Sequence, residues 1–161
     1  MPIIKSSEIL IYQLQKLYWM EAEFEQLAIC DARLELMGEY KDELDILENN
    51  SQQNRNLIKN WLNITNTDLS QCKLFNIDKK YDFIGMDAPH VFRVLYKYAI
   101  YIKTVYDDIN NVNKDIILAM LPNETYIDDF SFDIDSMLTG QKESVETCMN
   151  ICGGASTVFG I

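Results

Sequence analysis

Four stretches of this chain repeat apolar residues at alternating spacings of three and four, and that period admits little besides a helical fold. The first is Leu10, Leu14, Leu17, Glu21, Phe24 and Ala28; the second is Tyr40, Leu44, Leu47, Ser51, Asn54, Ile58 and Trp61. The third runs Phe92, Leu95, Ala99, Ile102, Tyr106, Ile109, Ile116 and Met120, and the fourth Ile134, Met137, Gln141, Ser144, Cys148 and Ile151. Because an α-helix turns once in 3.6 residues, each set lies on one face of a helix. No segment of useful length alternates with the two-residue period of a strand, so the chain is expected to be all-α.

Helices are predicted near residues 7 to 36, 39 to 62, 88 to 120 and 133 to 152. Ser6 and Ser7 offer an N-cap, and Gly38 offers a break between the first two helices. Asp87-Ala88-Pro89 is a strong start, since a carboxylate caps the orphan amides and proline fits the first turn. Leu121-Pro122-Asn123 is expected to stop the third helix and Gly153-Gly154 the fourth, leaving a tail over 153 to 161 that is frayed or docked through Phe159. Between Asn63 and Met86 the periodicity fades, and a connection of that length suits a crossover better than a hairpin. The expected architecture is an antiparallel four-helix bundle made of two helix pairs joined by a long crossover connection.

At 161 residues the chain has the length of one domain. No apolar run reaches the ~20 residues a membrane-spanning helix needs, and the Met-Pro-Ile-Ile-Lys start lacks the features of a secretory signal. A cytoplasmic protein is therefore expected, with Cys30, Cys72, Cys148 and Cys152 as reduced thiols. The net charge of -11 opposes nucleic acid and anionic membrane surfaces as partners.

The polar residues that interrupt the stripes carry the chemistry. The second helix places Ser51-Gln52-Gln53-Asn54 on its inner face and the fourth places Gln141-Lys142-Glu143-Ser144 there, while the first contributes Glu21. Residues three apart share a helical face and can grip a common metal. In this pattern, from about Ile9 to Ile151, the chain resembles the ferritin-like superfamily, in particular rubrerythrin-type four-helix bundles. The resemblance implies two inward Glu-x-x-His tetrads and two further inward Glu residues around a di-iron centre. Ser51 and Gln141 stand at the tetrad Glu positions, Asn54 and Ser144 at the His positions, and Glu21 at a single-Glu position whose counterpart falls near Tyr98, Ala99 or Lys103.

Amides and hydroxyls are poor iron ligands, so a degenerate site is expected: a polar layer of Glu21, Ser51, Asn54, Tyr98, Gln141 and Ser144, with no cofactor and no catalysis. Burial of Glu21 is expected to raise its pKa and to let a protonated carboxyl donate to Asn54 or Gln141. The leading function is a non-catalytic binding or interaction protein. An alternative is an iron or manganese carboxylate oxidoreductase or iron-handling protein in which Glu48 and Glu143, rather than Ser51 and Gln141, join Glu21. A third is a bundle that holds a small ligand between Glu21, Asn54, Gln141 and Tyr98.

His90 is the only histidine, which excludes sites needing two imidazoles, and its place in a first helical turn reads as surface. Cys148 and Cys152 share a face and could present thiolates to a soft metal, although core packing is the simpler use. The acidic residues around Glu21 to Glu25 and Glu39 to Glu48 lack calcium-loop spacing, and no phosphate loop or nucleophile motif is present. Trp19, Tyr96 and Tyr101 lie off the innermost positions and are expected to face a second copy of the chain, giving a homodimer.

Overall fold

The computed structural model describes residues 6–69 and 83–158, and among them it is all helix, without a strand. The elements are α1 (Ser6–Glu23), a π-helical turn (Phe24–Ile29), α2 (Cys30–Leu36), α3 (Lys41–Ile64), α4 (Ala88–Asn110), α5 (Lys114–Met120), a 3-10 turn (Glu124–Tyr126) and α6 (Ile127–Val158). Cys72 and Phe159 lie outside the described residues, as does most of the expected crossover. No described helix is long and apolar enough to cross a membrane.

α1, the π turn and α2 form one continuous rod, because Glu23, Ile29 and Cys30 all keep right-handed helical dihedrals. The expected single helix over 7 to 36 therefore holds, with a local change of winding inside it. After Phe24 the buried positions include, besides Ile29, Ala28, Ala32 and Leu36 at steps of four that a regular α-helix would carry off its inner face. A turn closed by i→i+5 bonds takes one extra residue and returns them to the core.

The rod ends in a tight reversal. Met37 and Gly38 take left-handed conformations at φ 54° and 89°, Tyr40 follows at 59°, and Met37 N donates to Arg33 O at 3.1 Å. α3 then packs back along α1 and also along α6, while α4 packs on α6 and on α1. Successive side-chain pairs give the directions: Glu21 meets Ser51 while Arg33 meets Asp45, Asn50 meets Ser144 while Trp61 meets Asp133, and Phe24 meets Tyr98 while Glu21 meets Tyr106. As residue numbers rise on one helix they fall on its neighbour, so these pairs are antiparallel in a helical bundle. Leu10, Leu14, Leu17, Phe24, Leu44, Leu47, Ile58, Phe92, Leu95, Ile102, Ile109 and Met137 meet in one buried cluster, as their stripes predict.

Three helix ends differ from expectation. The third helix breaks at Asn111 to Asn113, where the Asn113 side chain accepts from Asp115 N at 2.8 Å and caps α5. A competing local cap outweighs one more turn of helix, and α5 is redirected onto α1. The fourth helix begins at Ile127, not near 133, because Phe130 extends its stripe and packs edge-on against Trp61 at 5.0 Å. It also continues through Gly153-Gly154 to Val158, since a glycine costs a helix interior only about 1 kcal/mol.

At Gly38 an added Cβ would meet no atom within 4 Å, so a substitution there tests the backbone alone. Gly38→Ala is expected to lower stability by about 1 kcal/mol, seen as a fall of several degrees in Tm; an unchanged Tm would show that the reversal tolerates another conformation.

Candidate functional site

Halfway along the rod α1 turns Glu21 into the core, where its side chain is fully buried. Three donors from two other helices converge on it. From α3, Ser51 Oγ donates to Glu21 Oε1 at 2.9 Å and Asn54 Nδ2 to Oε2 at 3.1 Å; from α4, the Tyr106 hydroxyl donates to Oε2 at 2.7 Å. Ser51 and Asn54 reach one carboxylate because they lie three apart on a helix face.

The layer extends sideways to α6. Asn54 Nδ2 also donates to Met137 O at 3.1 Å, and Asn50 Nδ2 donates to Ser144 Oγ and to Glu143 Oε1, both at 3.0 Å. Gln141 Nε2 donates to Ala99 O at 2.8 Å, so it satisfies the α4 backbone and not Glu21. Ser51, Asn54, Gln141 and Ser144 are all buried.

Two expectations are corrected. Tyr98 is not part of the layer: it is half-buried and stacks on Phe24 at 5.8 Å. The α4 residue that reaches Glu21 is instead Tyr106, about two turns further along that helix. Glu21 also accepts hydrogen bonds from Asn54 and does not donate to it or to Gln141. Tyr106 and Asn50 were missed; Tyr106 was nevertheless visible as the one polar-tipped residue among the innermost positions of the third stripe.

The electrostatics follow from this geometry. Burial pushes the Glu21 carboxyl up to about 7 from an ordinary 4.5, and the bonds from Tyr106, Ser51 and Asn54, with the charge of Arg55, pull the other way. Desolvation therefore outweighs all the donors together. Burial and the adjacent Glu21 carboxylate hold the Tyr106 phenol well above its usual range, so it keeps the proton that it donates to Glu21. Arg55 is itself held by Glu25 at 2.8 Å, and Gln52 Nε2 donates to the other Glu25 oxygen at 3.1 Å.

This donor set does not fit a di-iron or di-manganese centre. Glu48 pairs with Arg33 at 2.6 Å and makes no bond to the Glu21 layer, while Glu143 is exposed and takes its bond from Asn50. Ser51 and Gln141 hold the inward positions, and among the described residues no three His, Cys, Asp or Glu side chains come together. His90 lies at the surface beside Asp87, which caps its backbone amide at 3.1 Å. Cys148 and Cys152 are buried in the core, and Cys30 is exposed.

A raised folded-state pKa means the native chain holds a proton that the unfolded chain releases. Glu21 should therefore cost stability progressively as pH rises from about 4.5 to about 7, and no more above that. Glu21→Gln is expected to remove this component, on the order of 3 kcal/mol, because an amide oxygen can accept from Tyr106 and Asn54 while its NH2 donates to the Ser51 hydroxyl. Urea denaturation of both proteins across this range reads it; parallel curves would show that Glu21 ionises freely. Tyr106→Phe should push the Glu21 pKa higher still and cost about 1–3 kcal/mol, followed by carboxyl NMR titration, and an unmoved titration would remove Tyr106 from the layer. Comparison of the chain with protein-family models, with curated proteins and with solved structures finds no match.

Proposed function

We propose that this chain is a ferritin-like, rubrerythrin-type four-helix bundle in which a self-satisfied polar layer replaces a di-metal site. In this reading it works in the cytoplasm as a non-catalytic, homodimeric binding or interaction protein. The observation that carries the reading is that both Glu21 oxygens are engaged by Ser51, Asn54 and Tyr106, with amides and hydroxyls where metal ligands would stand. The helix directions support the topology. The rod is antiparallel to α3 and α1 is antiparallel to α4, so α3 and α4 point the same way, with the end of α3 and the start of α4 at opposite ends of the bundle.

The interaction role draws support from exposed apolar residues on the outer face of the rod and at its end. Leu27 and Leu34, seven apart on the rod, and Met37 in the reversal that follows are at least half exposed. Trp19 and Tyr96 are half-buried, with the Trp19 indole donating to Leu69 O at 3.2 Å, which leaves Tyr101 as the exposed member of the three aromatics expected at a dimer surface.

Purified protein incubated anaerobically with ferrous iron, then desalted and analysed for metal, is expected to retain far less than one iron or manganese per chain. Near-stoichiometric metal that disappears in Glu21→Ala would overturn the proposal in favour of an oxidoreductase or iron-handling role.

A further inference from the structure

At the far end of α3 a groove of about 400 Å³ opens between that helix and the start of α6. Its volume falls within the ~300–1,000 Å³ of small-molecule sites. Trp61, only 3 % exposed, lines its buried side, Tyr126 meets Trp61 at 85° with ring centroids 6.0 Å apart, and Phe132 borders the same space while 70 % exposed. Asp129 and Asp133 line it as well, on the same face of α6, and Asp133 Oδ2 takes the Trp61 indole N–H at 2.8 Å.

The chemistry of this lining is selective. Among the described residues no lysine, arginine or histidine borders the groove, and none of their ion pairs involves Asp129 or Asp133. Two carboxylates call for a positive charge. Asn60, Asn63 and Ile64 complete the lining; a hard metal ion needs six to eight oxygen ligands, and three of the lining residues, Trp61, Tyr126 and Phe132, present aromatic rings instead. A primary ammonium is strongly hydrated and gains little beside rings. A bulky, weakly hydrated cation satisfies both features, because aromatic faces attract it and displace little bound water. The positive end of the α6 dipole lies nearby, and Asp128 and Asp129 in its first turn offset it.

We infer that the groove bordered by Trp61, Tyr126, Phe132, Asp129 and Asp133 binds an alkylated ammonium group. The source of that group is a free small cation or the methylated side chain of a basic peptide. The site lies apart from the Glu21 layer and stands whether or not that layer is a degenerate metal site.

The test is a titration followed by the indole N–H signals in NMR at constant ionic strength, with Trp19 as an internal control. The probes are tetramethylammonium chloride, the uncharged neopentyl alcohol and a short peptide carrying trimethyllysine. Tetramethylammonium is expected to move the Trp61 signal saturably and leave Trp19 unmoved, with no saturable response to the alcohol. Asp129→Asn and Phe132→Ala, both at exposed positions and each checked for a native spectrum, should weaken binding about tenfold. Tighter binding of the peptide than of the free ion identifies a methylated side chain as the source, and equal or weaker binding identifies a free cation. No saturable shift, an equal response to the alcohol, or affinity unchanged in both variants overturns the assignment.

Discussion

The burial of one carboxylate constrains how the helices of this protein can be arranged. An ionised carboxyl group removed from water is among the most costly features a core can contain, and hydrogen bonds to it recover only part of that cost. The donors to Glu21 come from α3 and α4, so the layer is complete only when α1, α3 and α4 stand in one register. Sliding α4 by one turn would remove the Tyr106 hydroxyl, and sliding α3 would remove two donors together. Apolar contacts supply most of the stability, but leucines tolerate several registers and a fixed set of donors does not.

The magnitudes show how incomplete the compensation is. A hydrogen bond to a charged group contributes about 1.5–3 kcal/mol, yet three of them leave the Glu21 pKa near 7. The protein thus keeps in its interior a group balanced between two protonation states at neutral pH. By contrast, Arg33 with Asp45 and Glu48, and Lys41 with Asp45, are substantially exposed and belong to the class of ion pairs worth ~0–1 kcal/mol. Their main consequence is positional: Arg33, further along the rod, takes Glu48, while Ser51 is the residue that reaches Glu21.

Much of the layer was legible in the stripes, because Glu21, Ser51, Asn54, Gln141 and Ser144 interrupt runs of core residues at helical spacing. Asn113 also falls on a stripe position, between Ile109 and Ile116, and its polarity there marks the break that separates α5 from α4. Phe130 continues the fourth stripe backwards from Ile134 by the same rule, although the surrounding aspartates and asparagines disguise it as loop. Asn50 could not be found this way, since it precedes Ser51 and lies at the edge of the inner face, where only the approach of α6 buries it. The π turn after Glu23 left its trace in the steps of four from Phe24 to Leu36, a trace that a regular helix at 3.6 residues per turn does not explain.

Periodicity alone determined that the described chain is helical, which residues enter the core and which polar residues are carried in with them. These are properties of a single helix, fixed by rotation per residue and the preference of apolar groups to leave water. Which polar atoms meet was decided only by the tertiary structure. Tyr98 and Tyr106 lie about two turns apart on the same helix, and only the antiparallel pairing of α1 with α4 stacks the first on Phe24 and gives the second to Glu21. The same holds for the groove at Trp61, whose aromatic and acidic walls come from helices remote in sequence that meet only because the bundle closes.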